Sequence, residues 1–305
     1  MRRWADNPEI DSETLEDAYQ TVMHARLGLE LMSACVPKSV WKSNQSKFKQ
    51  DVLNHYCPRE AYMVQYGYAW CHIIQRLCPL VRAVHIVPKL LAGDELAHLF
   101  GDQRGVFDDV RNGITLQSSL VELWDEGVIA IVPAEGEIAE PTRWRCVVLD
   151  ETKADDIVYQ LRVPEGNPKI TTRLRDVDGK ELGFRTGNRP ARRFSYFRFI
   201  ISCLYAKCNG NLAIQTKVDS TNFWPTQDRY LNKTTLTTLA LCVSGCELPE
   251  SLVDGQTFKA QNEEESENAG ILLSEKVREA WMESAKARKQ ASSDNSDSST
   301  DDDMY

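Results

Sequence analysis

The sequence predicts an α+β protein in which a helical N-terminal region, a central ββα module and an α+β C-terminal half follow one another. Apolar residues recur at helical spacing between 12 and 33. Runs rich in β-branched residues then dominate from Tyr68 to Val163, with short helical segments between them. The 305 residues suffice for one large domain with appendages or for two small ones.

Two amphipathic helices are expected before the β-rich part. The first covers 12–33, with Ser12 as its cap and acidic residues in its first turn, where the helix dipole favours negative charge. The second covers 43–55 and carries Phe48, Val52 and Leu53 on one face. Pro58 then opens a short helix toward Tyr66, because its fixed φ suits a first helical position.

The central module alternates β runs with short helices. The runs Trp70–Ile74 and Leu80–Val87 are predicted to pair as a hairpin, since only a few residues separate them. Asn112-Gly113 is a strong turn signal. The other expected elements are a helix over Glu95–Phe100, a helix over Ser118–Glu126 and a buried strand over Val128–Val132.

The C-terminal half mixes strands and helices before a polar end. Expected are strands at 143–149 and 157–163, a hairpin at 174–182 around Asp178-Gly179, and helices at 191–206, 236–243 and 274–289. The last fifteen residues are predicted to be disordered from their acidic, serine-rich composition. The resulting division is a helical region at 1–67, the central domain at 68–150, an α+β region at 151–260 and a tail at 261–305.

The charge distribution does not argue against a nucleic-acid partner. The net charge is −9, but residues 261–305 hold 12 acidic and 5 basic residues and thus carry −7 of it. The remaining body is almost neutral. No run approaches the ~18 apolar residues that a membrane span requires, so no membrane association is expected.

The N-terminus lacks the apolar core of a secretory signal, and we therefore expect an intracellular protein of the nucleus or cytoplasm. In a reducing compartment the nine cysteines are expected to be thiols. Their spacing contains no Cys-x2-Cys pair of the kind that zinc knuckles use. Core cysteines are the preferred interpretation, with a structural zinc as the alternative.

A set of linked motifs carries a family resemblance. These are His85-Ile-Val-Pro, Leu99-Phe-Gly-Asp, Arg111-Asn-Gly-Ile-Thr-Leu and Asp125-x-Gly-x-Ile-Ala-Ile-Val-Pro. The combination resembles the HNH nuclease domain of a family of fungal proteins, which implies a ββα-metal fold. In that resemblance His85 is the general base, Asn112 fixes the loop and the histidine, and a divalent metal (Mg, Mn or Zn) assists hydrolysis of nucleic acid.

The chemistry of phosphodiester hydrolysis suits such residues. A neutral imidazole can deprotonate an attacking water near pH 7. A cation beside the phosphate stabilises the charge of the transition state. The final histidine of the family pattern is absent here, and its register falls on Gln117 or Val121. Asp109, Gln117 and Asp125 are the metal-ligand candidates, with Asp108 and Glu122 as further oxygen donors.

The incomplete pattern leaves two functions open. The first is an HNH-endonuclease-like hydrolase whose activity is weakened or lost. The second is a non-catalytic module that uses the nuclease scaffold to bind nucleic acid or protein. The discriminating observation is the environment of His85, because an open polar pocket favours the enzyme and an apolar wall disfavours it.

A second candidate feature is an arginine-rich segment. Arg189, Arg192 and Arg193 are followed by Phe194, Tyr196 and Phe197, and arginine with aromatic residues suits phosphate contact and base stacking. These three arginines are therefore the predicted nucleic-acid contacts. The alternative is a helix whose aromatic residues belong to the core and whose arginines lie on the other side.

Overall fold

A computed structural model describes residues 12–32, 41–58, 66–101, 105–107, 109–134, 142–161 and 170–294. Within them the fold is α+β, as the sequence predicted. The helices are α1 (Ser12–Met32), α2 (Trp41–Tyr56), α3 (Glu95–Phe100), α4 (Ser118–Asp125), α5 (Arg192–Cys208), α6 (Leu212–Ser220), α7 (Lys233–Ser244) and α8 (Glu263–Asp294). None of these helices carries an apolar run that could span a bilayer.

The strands form small two-stranded sheets. They are β1 (Tyr68–Cys71), β2 (Arg76–Pro79), β3 (Val81–His85), β4 (Gly113–Gln117), β5 (Ile129–Pro133), β6 (Trp144–Val148), β7 (Ile157–Leu161), β8 (Ile170–Arg173), β9 (Leu231–Asn232) and β10 (Thr257–Phe258). The pairs β1–β2, β3–β4, β5–β6 and β7–β8 are antiparallel, and β9–β10 is parallel.

The prediction that the runs 70–74 and 80–87 pair with each other was wrong. The chain reverses at Gln75, whose φ is 61°, so β1 pairs with the adjacent β2 instead. A second reversal at Leu80, with φ 56°, then sends β3 away from β2. The partner of β3 is β4, with His85 opposite Gly113 and Val81 opposite Gln117. The resulting β3–β4–α4 unit keeps the expected ββα order.

Helix α5 forms the centre of the hydrophobic core. Phe194, Phe197 and Ile200 are fully buried, and so is the side chain of Arg198. The guanidinium of Arg198 donates to the Met32 carbonyl at 2.6 Å and to the Trp124 carbonyl, and it lies over the Trp124 ring. A charged group buried this deeply needs such partners. Arg198 thereby joins α1 and α4 through α5.

The C-terminal part departs from the prediction in two places. The expected polar helix from Ser274 begins earlier, at Glu263, and Ala269, Leu273 and Val277 are buried, so this part of α8 packs on the body. The expected hairpin at 174–182 is a 3-10 turn whose Asp178 carboxylate accepts from Val148 N at 2.8 Å. Helix α6 was not predicted. The predicted disorder of the chain end lies mostly outside the described residues.

Candidate functional site

The β3–β4 hairpin holds His85 at the end of one strand and Asn112 just before the other. Asn112 is fully buried, and its backbone carbonyl accepts from Ile86 N at 2.9 Å. Its side-chain Oδ1 accepts from Val87 N at 2.8 Å. Asn112 therefore accepts from two successive backbone N–H groups, one through its backbone carbonyl and one through its side chain, and this fixes the chain immediately after His85. Asn112 is therefore placed to orient the segment that carries the histidine.

The imidazole of His85 lies among aromatic rings. The ring of Phe48, from α2, stacks on it with centroids 3.8 Å apart and an interplanar angle of 6°. Phe107 approaches with centroids 5.8 Å apart at 62°. Burial, assisted by the positive charge of Lys89, lowers the pKa of His85 to about 4. The imidazole is thus neutral at pH 7, but its low pKa makes it a weak base.

Asp109, the first metal-ligand candidate, is engaged by an arginine. Its carboxylate accepts from Arg111 Nε at 2.9 Å and from Arg111 Nη2 at 2.7 Å, and it also accepts from the backbone N of Arg111. Burial alone would raise the pKa of Asp109, but the hydrogen bonds from Arg111 outweigh it and the pKa is lowered. A metal ion would have to compete with this bidentate pair.

Gln117 and Asp125 lie at opposite ends of α4. Gln117 Oε1 accepts from Ser119 N at 2.7 Å and so caps the helix. Asp125 stands 3.9 Å from Arg198, and burial raises its pKa. Eight helical residues span roughly 12 Å, so Gln117 and Asp125 cannot share one ion. Val121, the other position in register with the missing histidine, is buried.

Strand geometry separates Asp125 from the histidine as well. The charge of Arg82 acts on Asp125, and Arg82 is three residues before His85 on β3. Successive side chains of a strand alternate between faces, so Arg82 and His85 point in opposite directions. No group of three or more His, Cys, Asp or Glu side chains in the described ranges could hold a metal ion. The described residues therefore do not fit a divalent cation, while Asp108 lies outside them.

The second histidine of this region, His72, follows β1 and is fully buried. Its Nδ1 lies 2.8 Å from Thr115 Oγ1, on β4, and its ring meets Tyr56 edge to face at 5.3 Å. Burial lowers its pKa to about 4. Its Nε2 has no hydrogen-bond partner within the described part of the chain. These contacts give His72 a structural role in the core.

The three arginines predicted to contact nucleic acid each pack on aromatic rings. Arg189 lies over Phe184 with 4.5 Å to the centroid, and Arg192 Nε donates to the Tyr230 hydroxyl at 2.7 Å. The guanidinium of Arg193 lies 4.9 Å from the Phe194 centroid. The segment adjoins the chain just before β4, because Ala191 N donates to the Arg111 carbonyl at 3.2 Å.

One part of the site had no functional signal in the sequence. Phe48 was recognised only as part of the apolar face of a helix, and its contact with His85 joins residues 37 positions apart. No sequence pattern marked Phe107 as part of the site either. Contacts between side chains so distant in sequence depend on how α2 packs, which periodicity does not specify.

The comparisons with known proteins concern this same region. A family described as HNH endonuclease matches residues 70–132, which extend from β1 into β5 and include both His85 and Asn112. A search of curated proteins and a search of solved structures each gave no match. The matched segment contains the β3–β4–α4 unit whose geometry is given above. Residues 70–132 of this chain therefore form a domain that resembles the HNH endonucleases.

Proposed function

We propose that the HNH-like domain acts on nucleic acid as a phosphodiester hydrolase of weak activity. The observation that carries the proposal is the neutral His85 imidazole at the end of β3, followed by a segment that Asn112 holds in place. In this function His85 accepts the proton of the attacking water, and Asn112 positions it. The family match at residues 70–132 supports the reaction class.

The weak hydrolase activity follows from two properties of the described residues. The low pKa of His85 reduces its ability to take a proton in the transition state. Hydrolysis also requires positive charge beside the phosphate, and the candidates Asp109, Gln117 and Asp125 do not come together as ligands for Mg²⁺, Mn²⁺ or Zn²⁺. Lys89 supplies positive charge close enough to lower the pKa of His85. An ammonium alone stabilises the leaving charge less well than a coordinated divalent ion.

Contact with the nucleic-acid backbone is assigned to the segment that begins α5. Arg189, Arg192 and Arg193 place three positive charges next to the chain just before β4. A guanidinium that stacks on a ring can still direct its N–H groups to a phosphate. We therefore retain these three arginines as the proposed phosphate contacts.

A second candidate function is supported by a specific observation. The His85 ring is stacked on Phe48 and flanked by Phe107, and Val121, one of the two positions in register with the missing histidine, is buried. An apolar surrounding of this kind favours a non-catalytic module that binds nucleic acid or protein on the nuclease scaffold.

Plasmid nicking separates the two functions. The full chain is incubated with supercoiled DNA and Mg²⁺, Mn²⁺ or Zn²⁺, and compared with His85→Ala and with His98→Ala, whose histidine is exposed. We expect slow nicking that His85→Ala reduces about 10²–10⁴-fold, as for loss of a general base, and that His98→Ala leaves unchanged. Nicking that survives His85→Ala would refute the assigned base. Absence of nicking together with salt-dependent DNA binding would favour the binding module.

A further inference from the structure

Helix α2 lies directly on the hairpin face that carries His85. Phe48 stacks on the imidazole, and Lys49 Nζ donates to the Val81 carbonyl of β3 at 2.7 Å. Gly113, opposite His85, allows this close approach, because a Cβ there would lie 2.5 Å from Val52 Cγ2. One face of the imidazole is therefore covered by another part of the same chain.

The second half of α2 is firmly anchored. Val52, Leu53 and Tyr56 are fully buried. The last carbonyls of the helix, which have no partner within it, accept hydrogen bonds from a later loop. The His55 carbonyl accepts from Thr186 Oγ1 at 3.0 Å, and the Tyr56 carbonyl accepts from Arg185 N at 3.0 Å.

The part of α2 just before Val52, residues 47–51, is held less tightly. Phe48 and Lys49 are only partly buried, and Lys47 and Asp51 are exposed. Lys49 donates to a neutral carbonyl, and burial lowers the pKa of its ammonium group. An anionic oxygen would be a stronger partner for that ammonium than a neutral carbonyl, because the attraction between opposite charges adds to the hydrogen bond.

We propose that residues 47–51 of α2 are a cover over His85, held by Phe48 and displaced by the phosphates of nucleic acid. The proposal rests on the proposed function and names how that site is regulated. A phosphodiester cannot reach the stacked face of His85 while Phe48 occupies it. When the cover opens, Lys49 exchanges the Val81 carbonyl for a phosphate oxygen, while the anchored half from Val52 onward stays in place.

The opening is local, since Phe48 and Lys49 are less buried than Val52, Leu53 and Tyr56, which stay in place. Segments with few buried apolar contacts open at lower free energy than the core does. The cover is therefore distinct from global unfolding, in which Tyr56 and Leu53 would also separate from the hairpin. An experiment can therefore separate local opening of the cover from global unfolding.

Chemical modification of the histidines measures the cover without any need for nuclease activity. Diethyl pyrocarbonate transfers an ethoxycarbonyl group to an unprotonated imidazole nitrogen, and mass spectrometry of peptides gives a rate for each histidine. In the wild type we expect the exposed His98 to react fast, His85 slowly and the buried His72 slowest. In Phe48→Ala the rate at His85 should rise roughly twofold to tenfold, the factor by which loss of an aromatic pair shifts an equilibrium.

The matched control is Asp51→Ala, an exposed change on the same helix, which should leave all three rates unchanged. A His85 rate in Phe48→Ala equal to that of the wild type overturns the cover. A parallel rise at His72 would also overturn it, because the whole interface would then be opening.

Hydrogen exchange on the unmodified chain tests the same idea if Phe48→Ala does not fold. The amides of residues 48–51 should exchange at least about tenfold faster than those of 53–56, and faster still with a short DNA duplex. Equal protection of the two segments, or no response to DNA, contradicts the proposal. In the nicking assay Phe48→Ala should exceed the wild type. If modification of His85 rises but neither protein nicks DNA, the cover stands and the hydrolase function fails.

Discussion

Two histidines of this domain have the same low pKa but different surroundings. His72 is fully buried and bound through Nδ1 to Thr115, whose hydroxyl in turn donates to the Trp70 carbonyl at 2.6 Å. His85 is only partly buried, and its described contacts are with the rings of Phe48 and Phe107. For both, burial lowers the pKa to about 4.

The difference shows that a low pKa does not by itself identify a functional histidine. His72 is fixed by directional hydrogen bonds inside the core, and any displacement would leave buried polar groups unpaired. His85 is enclosed by ring contacts that can be removed without leaving a buried polar group unsatisfied. A functional group must be able to meet its substrate, so His85 and not His72 is the candidate base.

The largest effect that tests this comparison is on stability. His72→Ala should lower the free energy of unfolding by about 3 kcal/mol, because it creates a cavity and leaves Thr115 without its side-chain partner. Urea denaturation followed by circular dichroism measures the change. His98→Ala, an exposed substitution, should stay within about 0.5 kcal/mol of the wild type. A loss in His72→Ala no larger than that in His85→Ala would remove the distinction between the two sites.

Asn112→Ala is expected to cause the next largest loss in the free energy of unfolding. It deprives the buried Val87 N–H of its acceptor, and an unsatisfied buried donor costs about 2 kcal/mol. The same denaturation assay applies, with the exposed Asn54→Ala as the control. Nicking should fall as well, because the segment after His85 loses its fixed position. Unchanged stability would show that Asn112 does not hold the loop.

A smaller effect is predicted for Gly113→Ala. The new Cβ would lie 2.5 Å from Val52 Cγ2 and 2.8 Å from Phe48 Cζ, so these side chains must shift. Overpacking of this kind costs about 1–2 kcal/mol, and the shift should raise the modification rate of His85. Gly187→Ala is the control, since no atom lies within 4 Å of the added Cβ there. Gain of stability in Gly113→Ala would contradict the tight packing of α2 on the hairpin.

The sequence indicated much of the fold because most elements depend on local patterns. Helices α1, α2, α5 and α7 and strands β5 and β6 follow apolar periodicity and caps, and they were predicted near their observed bounds. The pairing of β3 with β4 was missed, because it depends on reversals at Gln75 and Leu80, residues that seldom adopt a positive φ. No turn signal marks those two positions.

The candidate site was predictable only in part. His85 and Asn112 were found through the family motif, and the structure places His85 at the end of β3 and Asn112 just before its partner β4. No family motif supported the choice of metal ligands. In the structure Arg111 stands beside Asp109, and Arg198 stands beside Asp125. Those contacts, like the stacking of Phe48, arise from tertiary packing between segments far apart in sequence. A single sequence carries no local pattern for them.

The smallest predicted effect is a change in one pKa. Phe48→Ala exposes the His85 imidazole, and its pKa should rise by about one unit, equivalent to about 1.4 kcal/mol, toward the ordinary value of 6.5. The pKa of His72 should stay near 4, because the rings described against it are those of Tyr56 and Phe184. Titration of the imidazole Cε1 protons by NMR measures both values in one sample. Equal rises at the two histidines would show that the substitution loosens the whole domain.

The same shift determines how stability depends on pH. A histidine with a lowered pKa in the folded state binds fewer protons there than in the unfolded state between pH 4 and 6.5. The contribution of such a histidine to the free energy of unfolding is therefore fully present above pH 6.5. It decreases as the pH falls toward 4, by up to about 1.4 kcal/mol per pH unit for each histidine. In Phe48→Ala the stability contribution of His85 should be lost over a narrower pH range, which ends nearer pH 5. The contribution of His72 should keep the pH range that it has in the wild type. A pH dependence identical to that of the wild type would mean that Phe48 does not control the environment of His85.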